Sequence, residues 1–179
     1  MNKQGNTYTF IYSVILVVVV AALLSVISLS LQPRQNENRQ NEKRQNILSA
    51  IHISSTAQNS AELFNKYIKE QFIVNDKGQR IEGNAFNVDI KEQYNVAADK
   101  REFPVFVADV DGATKYILPI YGAGLWGPIW GYISLDADKS TIYGTFFDHQ
   151  GETPGLGAEI TTPAFNNQFQ NKQIFSGEE

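Results

Sequence analysis

Phe103-Pro104-Val105-Phe106-Val107-Ala108-Asp109-Val110-Asp111-Gly112-Ala113-Thr114-Lys115, running on to Tyr121, is the stretch that decides the fold class. Asp111-Gly112 is hairpin-turn chemistry, because glycine takes a positive φ without a Cβ clash. β-branched and aromatic residues flank it, from Phe103 to Ala108 and again from Lys115 to Tyr121, and they predict two antiparallel strands. A second pair lies downstream. Trp130-Gly131-Tyr132-Ile133-Ser134-Leu135 and Thr141-Ile142-Tyr143-Gly144-Thr145-Phe146-Phe147 enclose the turn-forming Asp136-Ala137-Asp138-Lys139. Upstream, Phe86-Asn87-Val88-Asp89-Ile90 alternates like a strand, and Asn75-Asp76-Lys77-Gly78 reads as a turn. Residues 47–73 show helical spacing at Ile47, Ala50, Ile51, Leu63, Phe64, Tyr67, Ile68 and Phe72. That spacing predicts two helices broken around Ser54-Ser55-Thr56, with Ser60 as the N-cap of the second. Helices followed by a mostly antiparallel sheet make an α+β domain.

Further out, Phe10 to Leu31 carries no charge, Gly or Pro. At about 1.5 Å per residue such a helix spans the roughly 30 Å hydrocarbon core of a bilayer. Tyr8 and Tyr12 stand where an aromatic belt would lie. A cleaved signal peptide is the competing reading, but its apolar core is usually only about 7–15 residues. The sequence therefore predicts residues 1–9 as a tail, 10–31 as one uncleaved transmembrane helix, 32–46 as a polar stalk and 47–179 as the soluble domain. Lys3 precedes the span, while Arg34, Arg39, Lys43 and Arg44 follow it. By the positive-inside rule this count leans toward a cytoplasmic domain.

Composition excludes several function classes. The formal net charge is −4 with no basic cluster in the C-terminal portion, which argues against nucleic acid. There is no Cys, so thiolate zinc sites, iron–sulfur clusters and disulfides have no ligands here. His52 and His149 are the only histidines, too few for a multi-histidine metal site, and no metal site is expected. No catalytic triad, acid/base carboxylate pair or Walker loop is visible, and no catalytic residue is nominated. Gly122-Ala123-Gly124 is too short for a Rossmann fingerprint and lacks the strand–helix context.

Two glycine-bearing loops remain, Gly122-Ala123-Gly124-Leu125-Trp126-Gly127-Pro128 and Gln150-Gly151-Glu152-Thr153-Pro154-Gly155-Leu156-Gly157-Ala158-Glu159. If the strands pair as predicted, both can open on one side of the sheet. Trp126 can then stack on an aromatic ring, and the backbone of Gly155 to Gly157 can lie against its edge. Spacing alone favours a plain tight turn for the second loop. Glu152, beside Thr153, is open between accepting a ligand N–H or hydroxyl and bonding to its own turn. His149 is either a proton donor near neutral pH or an exposed strand-end residue. His52 reads as a packed surface residue.

The order of these motifs resembles a known family. An N-terminal span, then Tyr121-Gly122-Ala123-Gly124-Leu125-Trp126-Gly127, then Trp130-Gly131-Tyr132, then Gln150 to Gly157 is similar to the C subunit of the sodium-translocating NADH:quinone reductase (Na+-NQR), with its FMN-binding domain. Glu-Thr-Pro-Gly-Leu-Gly is shared with the G subunit of the Rnf electron-transfer complex, while Gly-Leu-Trp and Trp-Gly-Tyr point to the sodium pump. The resemblance implies an FMN-binding α+β domain on the periplasmic side of a bacterial inner membrane, against the Lys/Arg count. It implies a one-electron carrier that passes electrons from NADH to quinone with Na+ export, has no independent catalysis, and partners the other subunits of the membrane complex. Trp126, Glu152, Thr153, Gly155, Leu156 and Gly157 are then the cofactor-binding residues. The family attaches FMN to a Thr in a Ser-Gly-Ala-Thr motif that is not present in this chain. Asp111-Gly112-Ala113-Thr114 mimics it, but Thr114 reads as a turn residue. Ser176-Gly177-Glu178-Glu179 stands before the expected place, with no closing strand or helix, so a C-terminally incomplete domain is expected. The rivals are a carrier like the G subunit of Rnf, a membrane-tethered structural module without cofactor, and a signal-anchored hydrolase.

Overall fold

The computed structural model describes residues 5–175, so Lys3 and the Ser176–Glu179 end lie outside the described residues. The chain divides into two compact units, Met1–Gln40 and Asn41–Glu179. Helix α1 (Asn6–Ser49) is 44 residues long and contains Pro33. It is long and apolar enough to cross a membrane, and none of its most apolar window is buried. Near its start the Tyr8 and Tyr12 rings stack at 6.4 Å, one turn apart.

The second unit is built on the last turns of α1. Ile47, Leu48, Ala50 and Ile51 are completely buried. The helix ends where His52 takes a positive φ of 61°. His52 N donates to Ser49 O and Ile53 N to Leu48 O, both at 3.0 Å, which together close a Schellman turn. The break therefore comes before the predicted Ser54-Ser55-Thr56. Helix α2 (Ser60–Tyr67) follows, with Asn59 at its N-cap position. Ser60 is not the cap: it is the first helical residue, fully buried, and its hydroxyl donates to Asn41 Oδ1 at 3.3 Å.

Strand β1 (Ile68–Val74) replaces the predicted continuation of helix. Ile68 and Phe72 have helical spacing, but β-branched Ile68, Ile73 and Val74 suit a pleated sheet, and pairing with β3 (Phe103–Val110) overrides the local period. Strand β2 (Arg80–Ile81) adds two residues at the edge, across the turn in which Asn75 Oδ1 accepts from Lys77 N and Gln79 N. The predicted strand at 86–90 is also absent. Asn84 Oδ1 accepts from Phe86 N to start a 3-10 turn over Ala85–Asn87. Asp89 Oδ1 accepts from Lys91 N and caps α3 (Ile90–Tyr94). Lys43 Nζ donates to Phe86 O and Val88 O, at 2.6 and 2.9 Å, fixing the bend.

Strands β4 (Ala113–Ala123), β5 (Pro128–Leu135) and β6 (Ile142–His149) complete an antiparallel six-stranded sheet in the order β2-β1-β3-β4-β5-β6. The α+β class is therefore as expected, and so are the two hairpins. Thr114 is not in the turn but is the second residue of β4, opposite Asp109. The end of α1 sits on β5 and β6 where side chains are small. Ser134 Oγ donates to Ala50 O at 2.5 Å and to Gly144 O at 3.0 Å. A Cβ on Gly144 would come within 2.6 Å of Ala50 O. The alternate residues of β6 face the other way. There Phe147 packs on Phe165 and Phe169 at 5.9 and 5.3 Å, and Thr145 Oγ1 donates to Asn166 O at 3.2 Å. These partners belong to helix α4 (Pro163–Asn166) and the 3-10 turn after it, so short helical turns do follow the last strand.

Candidate functional site

The antiparallel order brings the C-terminal end of β4, the start of β5 and the end of β6 to one end of the sheet. Ala123 pairs with Pro128, and Ile129 with His149. Both glycine loops leave from this end, which brings together the two loops that the sequence could place on one side of the sheet. The first is closed by Gly124 N donating to Gly127 O at 2.8 Å. The second begins with Gln150 N donating to Pro128 O at 3.0 Å, one step beyond the β5–β6 ladder. A Cβ on Gly127 would stand 3.3 Å from Gln150 Cβ, so the two loops lie in contact.

Glu152 joins them. Its side chain is nearly completely buried, at 9% exposure. Oε1 accepts from Trp126 N at 3.0 Å, a bond that spans 26 residues. The carboxylate fits between two glycines. A Cβ on Gly124 would lie 2.3 Å from Oε1, and one on Gly157 would lie 2.6 Å from Oε2. Both positions therefore have to be glycine for this carboxylate to enter. A charge-assisted hydrogen bond of this kind is worth roughly 1.5–3 kcal/mol. Glu152 N in turn donates to His149 Nδ1 at 3.1 Å. His149 is half-buried at the end of β6 and here acts as an acceptor through Nδ1.

The rest of the second loop holds itself. Leu156 N and Ala158 N both donate to Thr153 O at 3.1 Å, and Gly155 N donates to Glu159 Oε1 at 3.1 Å. Gly155 takes a positive φ of 76°. With its backbone fixed, the loop turns its apolar side chain outward: Leu156 is 73% exposed, while Thr153 and Gly155 are also exposed. Across the rim Trp126 is 69% exposed and Leu125 82%. Large apolar groups held on hydrogen-bonded backbone, yet left in solvent, mark a binding surface more than a core.

The structure thus gathers Trp126, Glu152, Thr153, Gly155, Leu156 and Gly157 on one rim and gives them different work. Glu152 and Gly157 form its interior joint; Trp126, Thr153, Gly155 and Leu156 form its outer surface. Gly124 and Leu125 were quoted within the first loop but not among the predicted cofactor-binding residues, although the Gly-Leu-Trp-Gly spacing of a closed turn was the available signal. Trp130-Gly131-Tyr132 belongs to the sheet. Tyr132 is buried, and its phenol is pushed above the usual range by burial first, then by the Asp89 and Glu42 carboxylates. It therefore stays protonated and serves packing. His52 packs edge-on against Tyr143 at 5.1 Å, near the other end of the sheet.

Residues 124–178 match the family model described as an FMN-binding domain, and the match begins at Gly124 in the first loop of the rim. The crystal structure of the C subunit of the Na(+)-translocating NADH-quinone reductase from Parabacteroides distasonis is 50% identical, with a TM-score of 0.76 over 81% of this chain and 71% of that one. This chain belongs to the C-subunit family of the Na(+)-translocating NADH-quinone reductases. The Yersinia pestis member is 28% identical over 97% of this chain and 73% of its own length. The crystal structure of Shewanella oneidensis NqrC, at 23% identity and a TM-score of 0.66 over 78% of this chain and 72% of that one, shares the fold. Within this family, then, the rim lies inside the segment that carries the FMN-binding match.

Proposed function

We propose that this protein is the flavin-carrying subunit of a Na+-translocating NADH:quinone reductase, taking and giving single electrons on the path from NADH to quinone, with Na+ export as the coupled work. Residues 10–31 serve as its single transmembrane anchor, residues 32–46 as the stalk, and the domain that follows stands on the periplasmic side of a bacterial inner membrane. Its partners are the other subunits of that complex, and it has no independent catalysis. The observation that carries this reading is the buried Glu152 carboxylate, which bonds Trp126 N and locks both glycine loops into one rim with Trp126 and Leu156 exposed.

The residues of the rim fit FMN. Trp126 offers an indole face for stacking on a flat ring, and Leu156 offers an apolar edge. Thr153 offers a hydroxyl to polar atoms. Glu152 acts from beneath by fixing Trp126. A bound flavin supplies the electron transfer, and the protein supplies position and environment. Thr114 does not fit an attachment role, because it lies near the start of β4, at the end of the sheet opposite the rim. We therefore assign no attachment role to Thr114.

The test is flavin retention in a chain extended through the family's Ser-Gly-Ala-Thr motif. Glu152→Ala and Leu156→Ala should each lower the FMN bound per protein at least severalfold, read by absorbance and in-gel fluorescence. Full flavin content in both variants would remove the rim from the cofactor site.

A further inference from the structure

His149 stands at the base of the rim and its ring is committed by geometry. Glu152 N donates to Nδ1 at 3.1 Å, so Nδ1 carries a lone pair and a neutral ring holds its proton on Nε2. The same residue, Glu152, accepts from Trp126 N at 3.0 Å. Two hydrogen bonds in series thus run from the imidazole through Glu152 to the indole-bearing loop. The charged residues beside His149 along the chain and in the turn packed on β6 are carboxylates. Asp148 precedes it and accepts from His149 N at 2.7 Å; Glu152 follows it; Glu159 lies in the 3-10 turn packed on β6 and accepts from Gly155 N. The facing residue on β5, Ile129, is uncharged.

We infer that His149 is the positioning residue of the rim: its unprotonated Nδ1 orients Glu152, Glu152 sets the Trp126 loop, and a proton on Nδ1 releases both. A protonated Nδ1 is a donor facing the Glu152 N–H donor, so the first bond of the series is lost and the carboxylate loses the backbone anchor that aims it. The ring is therefore no proton source through Nδ1. Its protonation state controls how firmly the two loops are held. This inference rests on reading the rim as the cofactor site, but its test does not use the cofactor.

The full chain in detergent is studied by NMR and amide hydrogen exchange, with Ile117 in the sheet core as the internal control. Ring nitrogen shifts should report the Nε2–H tautomer for His149 in the neutral form; the Nδ1–H tautomer would overturn the inference outright. In His149→Leu, exchange at the Glu152 and Trp126 amides should speed up about tenfold, the loss expected for one such bond, while Ile117 is unchanged. His149→Asn, whose Oδ1 can take the place of Nδ1, should restore protection to within about threefold. In the unmodified protein the same two amides should lose protection as the ring protonates, and in His149→Asn they should not. Unchanged Glu152 and Trp126 protection in His149→Leu, or failure of Asn to rescue, would sink the positioning role. Loss of flavin with this exchange pattern intact would instead bear on the cofactor reading.

Discussion

The two ends of the sheet both combine glycine with a carboxylate, and they are held in different ways. At the hairpin end each turn has a carboxylate that bonds its own near neighbours. Gly112 N donates to Asp109 Oδ1 at 2.8 Å; Asp138 Oδ1 accepts from Ser140 N and Thr141 N, both at 2.9 Å. Longer ties add to these: Lys115 pairs with Asp136 across neighbouring strands, Ile174 N donates to Ser140 O at 2.9 Å, and Thr141 bridges Gln173. At the rim end the tie is Glu152, buried and reaching back 26 residues to Trp126. Exposure differs in the same sense: the rim shows Leu125, Trp126 and Leu156 to solvent, whereas the hairpin turns show polar residues. Local turn chemistry closes a sheet. A long-range buried carboxylate instead shapes a surface whose apolar groups are free to bind.

The sharpest way to break this contrast is to add one methyl group at each end. Gly124→Ala places a Cβ 2.3 Å from Glu152 Oε1 and 2.8 Å from Gly127 O, so the carboxylate has to leave its slot. The expected loss is about 3 kcal/mol, at the upper end for overpacking. Gly112→Ala meets nothing within 4 Å, but φ is +81°, and only the backbone strain of about 1 kcal/mol is expected. Denaturant unfolding of both variants measures the difference. Equal losses would mean that the rim is an ordinary turn.

A second comparison removes the tying carboxylates themselves. Glu152→Ala should cost about 2 kcal/mol, from a buried charge-assisted bond and the volume it leaves. Asp109→Ala should cost about 0.5–1 kcal/mol, a single bond at an exposed turn. Glu152→Gln keeps an acceptor for Trp126 N and should fall between them. If Asp109→Ala proved the more damaging, the distinction between local and long-range ties would fail.

The same contrast explains what could be read in the sequence. Asp111-Gly112 and Asp136 to Lys139 were legible because a turn held by partners within three residues carries its cause in its own letters. The site residues were legible as two loops but not as a joint: nothing adjacent to Glu152 says that its partner is Trp126. Elsewhere the errors have the same origin. Ile68 and Phe72 fit a helix locally, and only pairing with β3 makes that segment a strand. Phe86 to Ile90 alternated, yet Asn84 and Asp89 bend the backbone with their own side chains, a capping signal that outweighed the period. Ser60 looked like a cap, and its burial beside Asn41 was beyond the reach of any local rule.

The smallest effect is expected from acid at the hairpin end. The Asp138 carboxyl is held below its ordinary 3.8, first by the Thr141 hydroxyl and then by the backbone N–H groups of Ser140 and Thr141. A carboxyl lowered in the folded state stabilises above its unfolded value and loses that contribution as pH falls through the lower, folded value. Between neutrality and about pH 4 the β5–β6 turn should therefore be unaffected, and it should loosen only in stronger acid. Amide exchange at Ser140 and Thr141 across this range reads the transition, and Asp138→Ala should abolish its pH dependence while lowering overall stability less than any rim variant. Loosening that set in well above pH 4 would place the controlling group elsewhere. The turn's own carboxylate would then not be what ties it, and the clearest difference between the two ends of the sheet would be lost.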